Sequence, residues 1–236
     1  ATSPQAWAMC RNLNQDYMNI TPHSRYFLTW FDEISPPIHT YAPAESADDL
    51  LEEWILKCYK HLKENGKRMM MHPSFLTEAA KFRPGSSAML GLAGSQGMPM
   101  HDVIDRIPKD IIMVDWYYGP SPNRAIFKYL RDKRFDVIAM PGSKNYGYTY
   151  QSAYYSAVEG KRAGLMGLFQ FSFQWGTWTN PSQFSYSLPL IYNWRVPETM
   201  KPDWNWRAHW QEVFLGPQPS HTGEVVPLDI SSACNE

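Results

Sequence analysis

The sequence predicts an α/β fold built from repeated strand–helix units, and three observations carry that expectation. Short apolar runs alternate with amphipathic helical segments from residue 25 to residue 175, the pattern that produces a parallel sheet covered by crossover helices. Several of the runs are apolar on both faces, as strands are when helices cover one side and a second core covers the other. Acidic and aromatic residues gather where the runs end, and the carboxyl ends of parallel strands are where such folds place their sites. The expected architecture is a (β/α)8 barrel-like fold that is incomplete in this chain. About five βα units are present, and the first three of the eight strands are expected to lie outside it.

Residues 4–18 read as a helix, with Ser3 as cap, Pro4 in the first turn and Trp7, Ala8, Leu13 and Met18 spread along it. Residues 25–31, rich in aromatics and bounded by Pro22 and Pro36, read as a buried strand. Residues 47–65 form an amphipathic helix: Leu50, Leu51, Trp54, Ile55, Cys58, Tyr59 and Leu62 recur at helical spacing, Asp48 and Asp49 sit in the first turn, and Gly66 follows the end. Residues 67–71 give a short strand. Residues 77–107, with Gly85, Gly91, Gly94 and Gly97, read as a long loop with a short helix near 100–106. Residues 110–117 are the clearest strand. A helix is expected over 122–133 with Pro122 at its start, a strand over 135–140, a helix over 149–161, and a long strand over 163–175 with Phe169, Phe171, Phe173 and Trp175 on one face. Residues 1–180 are thus assigned to the barrel domain. Residues 181–236 are assigned to a Trp- and Pro-rich extension with one helix at 203–214 that packs on the barrel.

Composition narrows the function classes. The formal net charge is −1, and the densest basic cluster, Arg131-Asp132-Lys133-Arg134, contains an acid. Nucleic-acid binding, which needs a concentrated basic face, is therefore not expected. No apolar run approaches the ~20 residues of a membrane span. The three cysteines, Cys10, Cys58 and Cys234, show no metal-ligand spacing. His23, His39, His72 and His101 show neither helical i, i+4 nor finger spacing, so neither a metal nor another cofactor is expected. A GxSxG elbow and a phosphate-binding glycine loop are both missing. One sequon, Asn19-Ile20-Thr21, leans toward a secreted or periplasmic setting. Aromatic residues make up 15% of the chain, with ten Trp and fourteen Tyr. Flat rings with a polar tip suit the C–H faces of sugars, although any single ring is more often a packing residue.

Asp32-Glu33 ends the first strand, Asp115-Trp116-Tyr117-Tyr118 the third and Gln174-Trp175 the fifth. An adjacent carboxylate pair at such a rim suits glycoside hydrolysis. One carboxyl must be protonated to assist the leaving oxygen and another ionised to manage positive charge, and crowding separates their pKa values. Read without any comparison, an acidic dipeptide is also simply the start of a solvated loop.

The segment Tyr26-Phe27-Leu28-Thr29-Trp30-Phe31-Asp32-Glu33-Ile34 resembles the strand-four signature of glycoside hydrolase family 20, the β-N-acetylhexosaminidases. Further blocks follow in the family's order: residues 64–70, then the strand 107–118, then 134–141, then 164–178, so the resemblance spans roughly residues 20–180. It implies a retaining, substrate-assisted hydrolase acting on terminal N-acetyl-hexosamine of an oligosaccharide or glycoconjugate. Glu33 would be the general acid/base and Asp32 would orient the 2-acetamido group, which itself acts as nucleophile. Trp116 and Trp175 would wall the sugar pocket. Tyr118 would stand beside them, and Tyr146 or Tyr148 would reach the acetamido oxygen. Leu28 and Trp30 stand where the family has His and Gly, and His72 where it has a strand-five Trp. The replacements at Leu28 and Trp30 motivate the alternative, a non-catalytic carbohydrate-binding protein on the same scaffold. Another chain or segment is expected to complete the barrel.

Overall fold

The computed structural model describes residues 3–29, 31, 47–77, 82, 102–116, 123–143, 149–169 and 171–172. All of them fall within one compact unit that spans residues 1–199. The fold is mixed α/β. Helix α1 (Pro4–Ile20) leads into strand β1 (Tyr26–Thr29), followed by α2 (Ala47–Glu64), β2 (Arg68–Met71), a 3-10 turn (Ser74–Leu76) and the short helix α3 (Val103–Arg106). Then come β3 (Ile112–Asp115), α4 (Ala125–Asp132), β4 (Asp136–Ala139), β5 (Gly142–Ser143), α5 (Thr149–Ala163), β6 (Gly167–Leu168) and β7 (Phe171–Ser172). Among the described residues no helix is long and apolar enough to cross a membrane.

The strands form a five-stranded sheet in the order β1-β2-β3-β4-β6, every pair parallel. A second ladder, β5 with β7, is also parallel. It continues the register of β4 with β6, since Ile138 pairs with Gly167 and Gly142 with Phe171 at the same offset. With β4 and β5, and β6 and β7, each taken as one interrupted strand, neighbours in the sheet are neighbours in sequence. Crossovers of the usual right hand put all helices of such a singly wound sheet on one face.

The packing separates those two faces. Met69, Met71, Met113, Val137 and Ala139 join Leu51, Ile55, Cys58 and Leu62 of α2 and Ile126, Phe127 and Leu130 of α4 in the main core. The alternate residues Met70, Ile112, Val114, Trp116 and Met140 form a second apolar cluster, with Leu28 and Ile138 packed against it. Period-two alternation assigns the two sets to opposite faces. Both are buried, and Ile112, Met113 and Val114 of the central strand are wholly inaccessible. Strands apolar on both sides are explained by that arrangement.

The helix starts follow from local chemistry. Ser3 accepts a hydrogen bond from the Ala6 N–H, with Pro4 in the first turn, so α1 begins where expected. Helix α4 begins at Ala125, later than the sequence suggests, because the Asn123 side chain takes the Ala125 N–H at 3.0 Å and holds the chain in a turn. The long strand expected over 163–175 is corrected. Ala163 closes α5, Gly164 at φ +70° ends that helix, and the strand is split into β6 and β7. The extension over 181–236 and its helix at 203–214 lie outside the described residues.

Three helices end in the same way. The Lys67 N–H reaches Leu62 O at 2.9 Å, Phe135 N–H reaches Leu130 O at 3.1 Å, and Leu165 N–H reaches Gly160 O at 2.9 Å. In each case the residue before the donor is left-handed: Gly66, Arg134 and Gly164, at φ +69°, +69° and +70°. This closing bond from five residues on is the Schellman pattern, which satisfies the last helical carbonyls and turns the chain back toward the sheet. Glycine fills two of the three positions without a Cβ penalty; Arg134 incurs it. Arg134→Gly is expected to raise unfolding free energy by about 1 kcal/mol, read as a higher urea midpoint at an unchanged m-value.

The amino ends of the strands carry an ionic clamp. Arg68 contacts the Asp136 carboxylate at 2.6 Å and Arg131 contacts it at 2.7 Å, while Arg68 Nε donates to Asp110 O. The Arg68 hydrogen bond, with help from Arg131, holds the Asp136 carboxyl below the usual range against a smaller opposing effect of burial. A carboxyl lowered by folding adds stability above its unfolded value near ~3.9 and loses it as pH falls through the folded value. Asp136→Asn should therefore lose roughly 1 kcal/mol at neutral pH, a modest figure because the pair is partly exposed. The variant should also show a shallower loss of stability below about pH 4 in acid-titrated thermal melts.

Candidate active site

The candidate site lies at the carboxyl rim of the sheet, and topology assembles it. Because all five strands run parallel in sequential order, the residues that follow β1, β2, β3 and β4 emerge at one rim. Asp32-Glu33 follow β1 in sequence by three and four positions. Those two residues, with Tyr118, Tyr146, Tyr148 and Trp175, lie outside the described residues. Of the anticipated site residues, Trp116 is the one whose surroundings are described.

Trp116 directly follows β3 and is 8% exposed. Its indole lies with Met70, Ile112, Val114 and Met140 in the cluster on the face away from the helices. Its Nε1–H donates to Ser74 Oγ at 2.5 Å. Ser74 opens the 3-10 turn after β2, and Pro73 directly before it supplies the carbonyl that accepts the Thr77 hydroxyl at 3.1 Å. The turn thus presents a hydroxyl on a rigid support, and the hydroxyl fixes the edge of the ring. A large aromatic with its polar edge anchored keeps one orientation.

His72, also at the end of β2, is wholly buried, and its Nδ1 lies 2.8 Å from the Val114 carbonyl oxygen. A carbonyl only accepts, so Nδ1 carries a proton, and in the neutral ring Nε2 holds the lone pair. Asp115, at the end of β3, is buried as well. The ends of β2 and β3 therefore carry a buried histidine, a buried carboxylate, and a hydroxyl bonded to an indole. Among the described residues no group of three or more His, Cys, Asp or Glu is placed to hold a metal ion.

Sequence reading picked out Trp116 and passed over Ser74 as a site residue. The signal for Ser74 lies in the sheet order, because 42 residues separate it from the ring it anchors. His72 drew notice as a replacement and as an improbable metal ligand. Its tie to the next strand needs the register of β2 with β3, where Met71 pairs with Met113.

No protein-family model matches the chain, and no curated protein matches it.

Ser74→Ala removes the acceptor for the Trp116 indole. The expected result is an upfield shift of that indole N–H resonance, with a loss of about 1 kcal/mol in stability. An unchanged indole resonance would show that the hydroxyl does not hold the ring.

Proposed function

We propose that this chain carries the acid/base rim of a (β/α) barrel glycoside hydrolase that acts on terminal N-acetyl-hexosamine residues with retention. The observation that carries the reading is the sequential parallel sheet: the strand followed by Asp32-Glu33 and the strand followed by Trp116 open onto one rim. The order of family-20-like blocks along residues 20–180 supports it independently of the fold.

In this reading the protonated Glu33 carboxyl gives its proton to the leaving glycosidic oxygen. The substrate's acetamido oxygen attacks the anomeric carbon, and the Asp32 carboxylate orients that amide and balances the positive charge of the oxazolinium that forms. Glu33, now ionised, takes a proton from the water that opens the ring. Trp116 and Trp175 wall the sugar, and Tyr118 and Tyr146 supply polar contacts to it. The substrate is an oligosaccharide or glycoconjugate with a free terminal sugar.

A second reading, carbohydrate binding without turnover, draws on Leu28. This side chain packs against the apolar cluster that contains Trp116, where the related enzymes place a polar imidazole. Removal of that polar group weakens the case for catalysis and leaves the aromatic platform intact.

Glu33→Gln decides between the two. Hydrolysis of an aryl N-acetyl-β-hexosaminide should fall by ~10²–10⁴-fold with little change in KM. Wild-type chain that binds N-acetyl-hexosamine oligomers without turnover, and a variant that binds them equally well, would establish the binding reading. A chain with neither turnover nor binding would sink both.

A further inference from the structure

Helices α1 and α2 meet along a seam that holds two of the chain's three cysteines. Trp7 of α1 stands edge-on to Trp54 at 5.6 Å and to His61 at 6.2 Å, both on α2. Cys58 lies between those two residues on the same face of α2, four positions after Trp54 and three before His61. Cys10 is one turn on from Trp7, on the same face of α1. The two thiols are hydrogen-bonded to each other across the seam, and neither is in a disulfide. Cys58 is 2% exposed, whereas Cys10 is only half-buried. Nδ2 of the buried Asn14, one turn further along α1, donates to the Cys10 sulfur at 3.8 Å.

These surroundings make the two thiols unlike. The Cys58 thiol donates to Cys10 and holds the Cys10 thiol below its ordinary value; burial opposes that effect and Asn14 adds to it. Cys58 is pushed far up, first by the same hydrogen bond, then by burial and by the charge on Cys10. The reactive form, the thiolate, therefore gathers on the sulfur that solvent can reach. Two cysteines that only fill space need neither a half-open member nor an amide N–H aimed at its sulfur.

We propose that Cys10 and Cys58 form an oxidation site for hydroperoxides: Cys10 is the sulfur that the peroxide oxidises, and Cys58 is the sulfur that resolves it into a disulfide between α1 and α2. The Cys10 thiolate attacks one oxygen of hydrogen peroxide, the O–O bond breaks, hydroxide leaves, and Cys10 becomes a sulfenic acid. That step removes the thiolate that held the proton on Cys58. The Cys58 sulfur then attacks the Cys10 sulfur, the S–S bond forms, and the sulfenic oxygen departs as water with the Cys58 proton. The Cys10 proton, lost at the start, meets the hydroxide. Two thiols are oxidised by two electrons and one peroxide is reduced to two waters. The bond closes a loop of chain from residue 10 to residue 58 that contains β1, which restricts the unfolded chain, and a thiol reductant reopens it. The inference uses no sugar chemistry, so it stands or falls apart from the role of Glu33.

The test treats the reduced, folded 236-residue chain with one equivalent of hydrogen peroxide. Intact mass and a non-reducing peptide map, taken after alkylation of the unfolded product, report where the oxidation falls. The expected result is a chain lighter by two hydrogens, with the peptides that carry Cys10 and Cys58 joined and Cys234 alkylated. Its Tm should rise by several degrees, and dithiothreitol should reverse all of these changes. Before oxidation, iodoacetamide should alkylate Cys10 of the folded chain at least about tenfold faster than Cys58. In Cys58→Ala, which cannot close the bond, the same dose should leave a Cys10 sulfenic acid that dimedone traps. Three results would overturn the proposal: Cys10 and Cys58 both still open to alkylation after the dose, a bond from either of them to Cys234, or dimedone found on Cys58 and not on Cys10. The wild-type peptide map decides the matter even if Cys58→Ala fails to fold.

Discussion

Pairing each strand only with its neighbours in sequence is the constraint on which the rest of this molecule depends. A parallel strand cannot be reached by a tight turn, so each pairing demands a crossover. With one hand of crossover and one direction of growth, the helices gather on one face. The opposite face then has to be apolar and covered as well. Strand β3 sits in the middle of the sheet, and three successive residues of it are wholly buried. Met113 faces the helices, while Ile112 and Val114 face the second cluster. A polar substitution at any of the three would bury a group with no water to satisfy it.

The same constraint gives the sheet two unlike ends. At the amino ends the polar groups answer one another inside the protein: Arg68 and Arg131 converge on Asp136, and Tyr59 and Lys63 on Asp110. At the carboxyl ends the described polar groups include His72 and Asp115, both buried, and Ser74, which holds the Trp116 indole. The first arrangement is a structural clamp, partly exposed and of modest worth. The second is a set of hydrogen-bonding groups on rigid strand ends, the setting in which recognition chemistry is built.

Much of the fold was legible in the sequence, because periodicity and caps are local. The Ser3 cap, the Asp48-Asp49 first turn and the apolar spacing of α2 each reported an element that the structure contains. The failures are where a single backbone angle or a distant partner decides. Nothing local announces Arg134 at φ +69°, since an arginine carries no mark of that conformation. The aromatic strand read from residue 163 starts later, at Gly167, because Gly164 serves the helix before it. Leu13 was read as part of the apolar pattern of α1, but whether such a residue is buried depends on what stands beside the helix. The site was legible only as far as strand ends could be located. Trp116 followed from that, whereas Ser74 and His72 gain meaning only once β2 and β3 are adjacent.

The three helix endings set the spacing at one end of the sheet. Residues 65–67, 133–135 and 164–166 are all the chain uses to pass from α2 to β2, from α4 to β4 and from α5 to β6. At the other end the passages from strand to helix are unequal: residues 30–46, 116–124 and 144–148. Insertions or deletions among the short returns would slide a strand against its neighbour and reverse the faces of its side chains. Length changes at the other end leave the register untouched. Evolutionary drift in length is therefore channelled to the carboxyl rim, where loops can be recast while the scaffold stays in register.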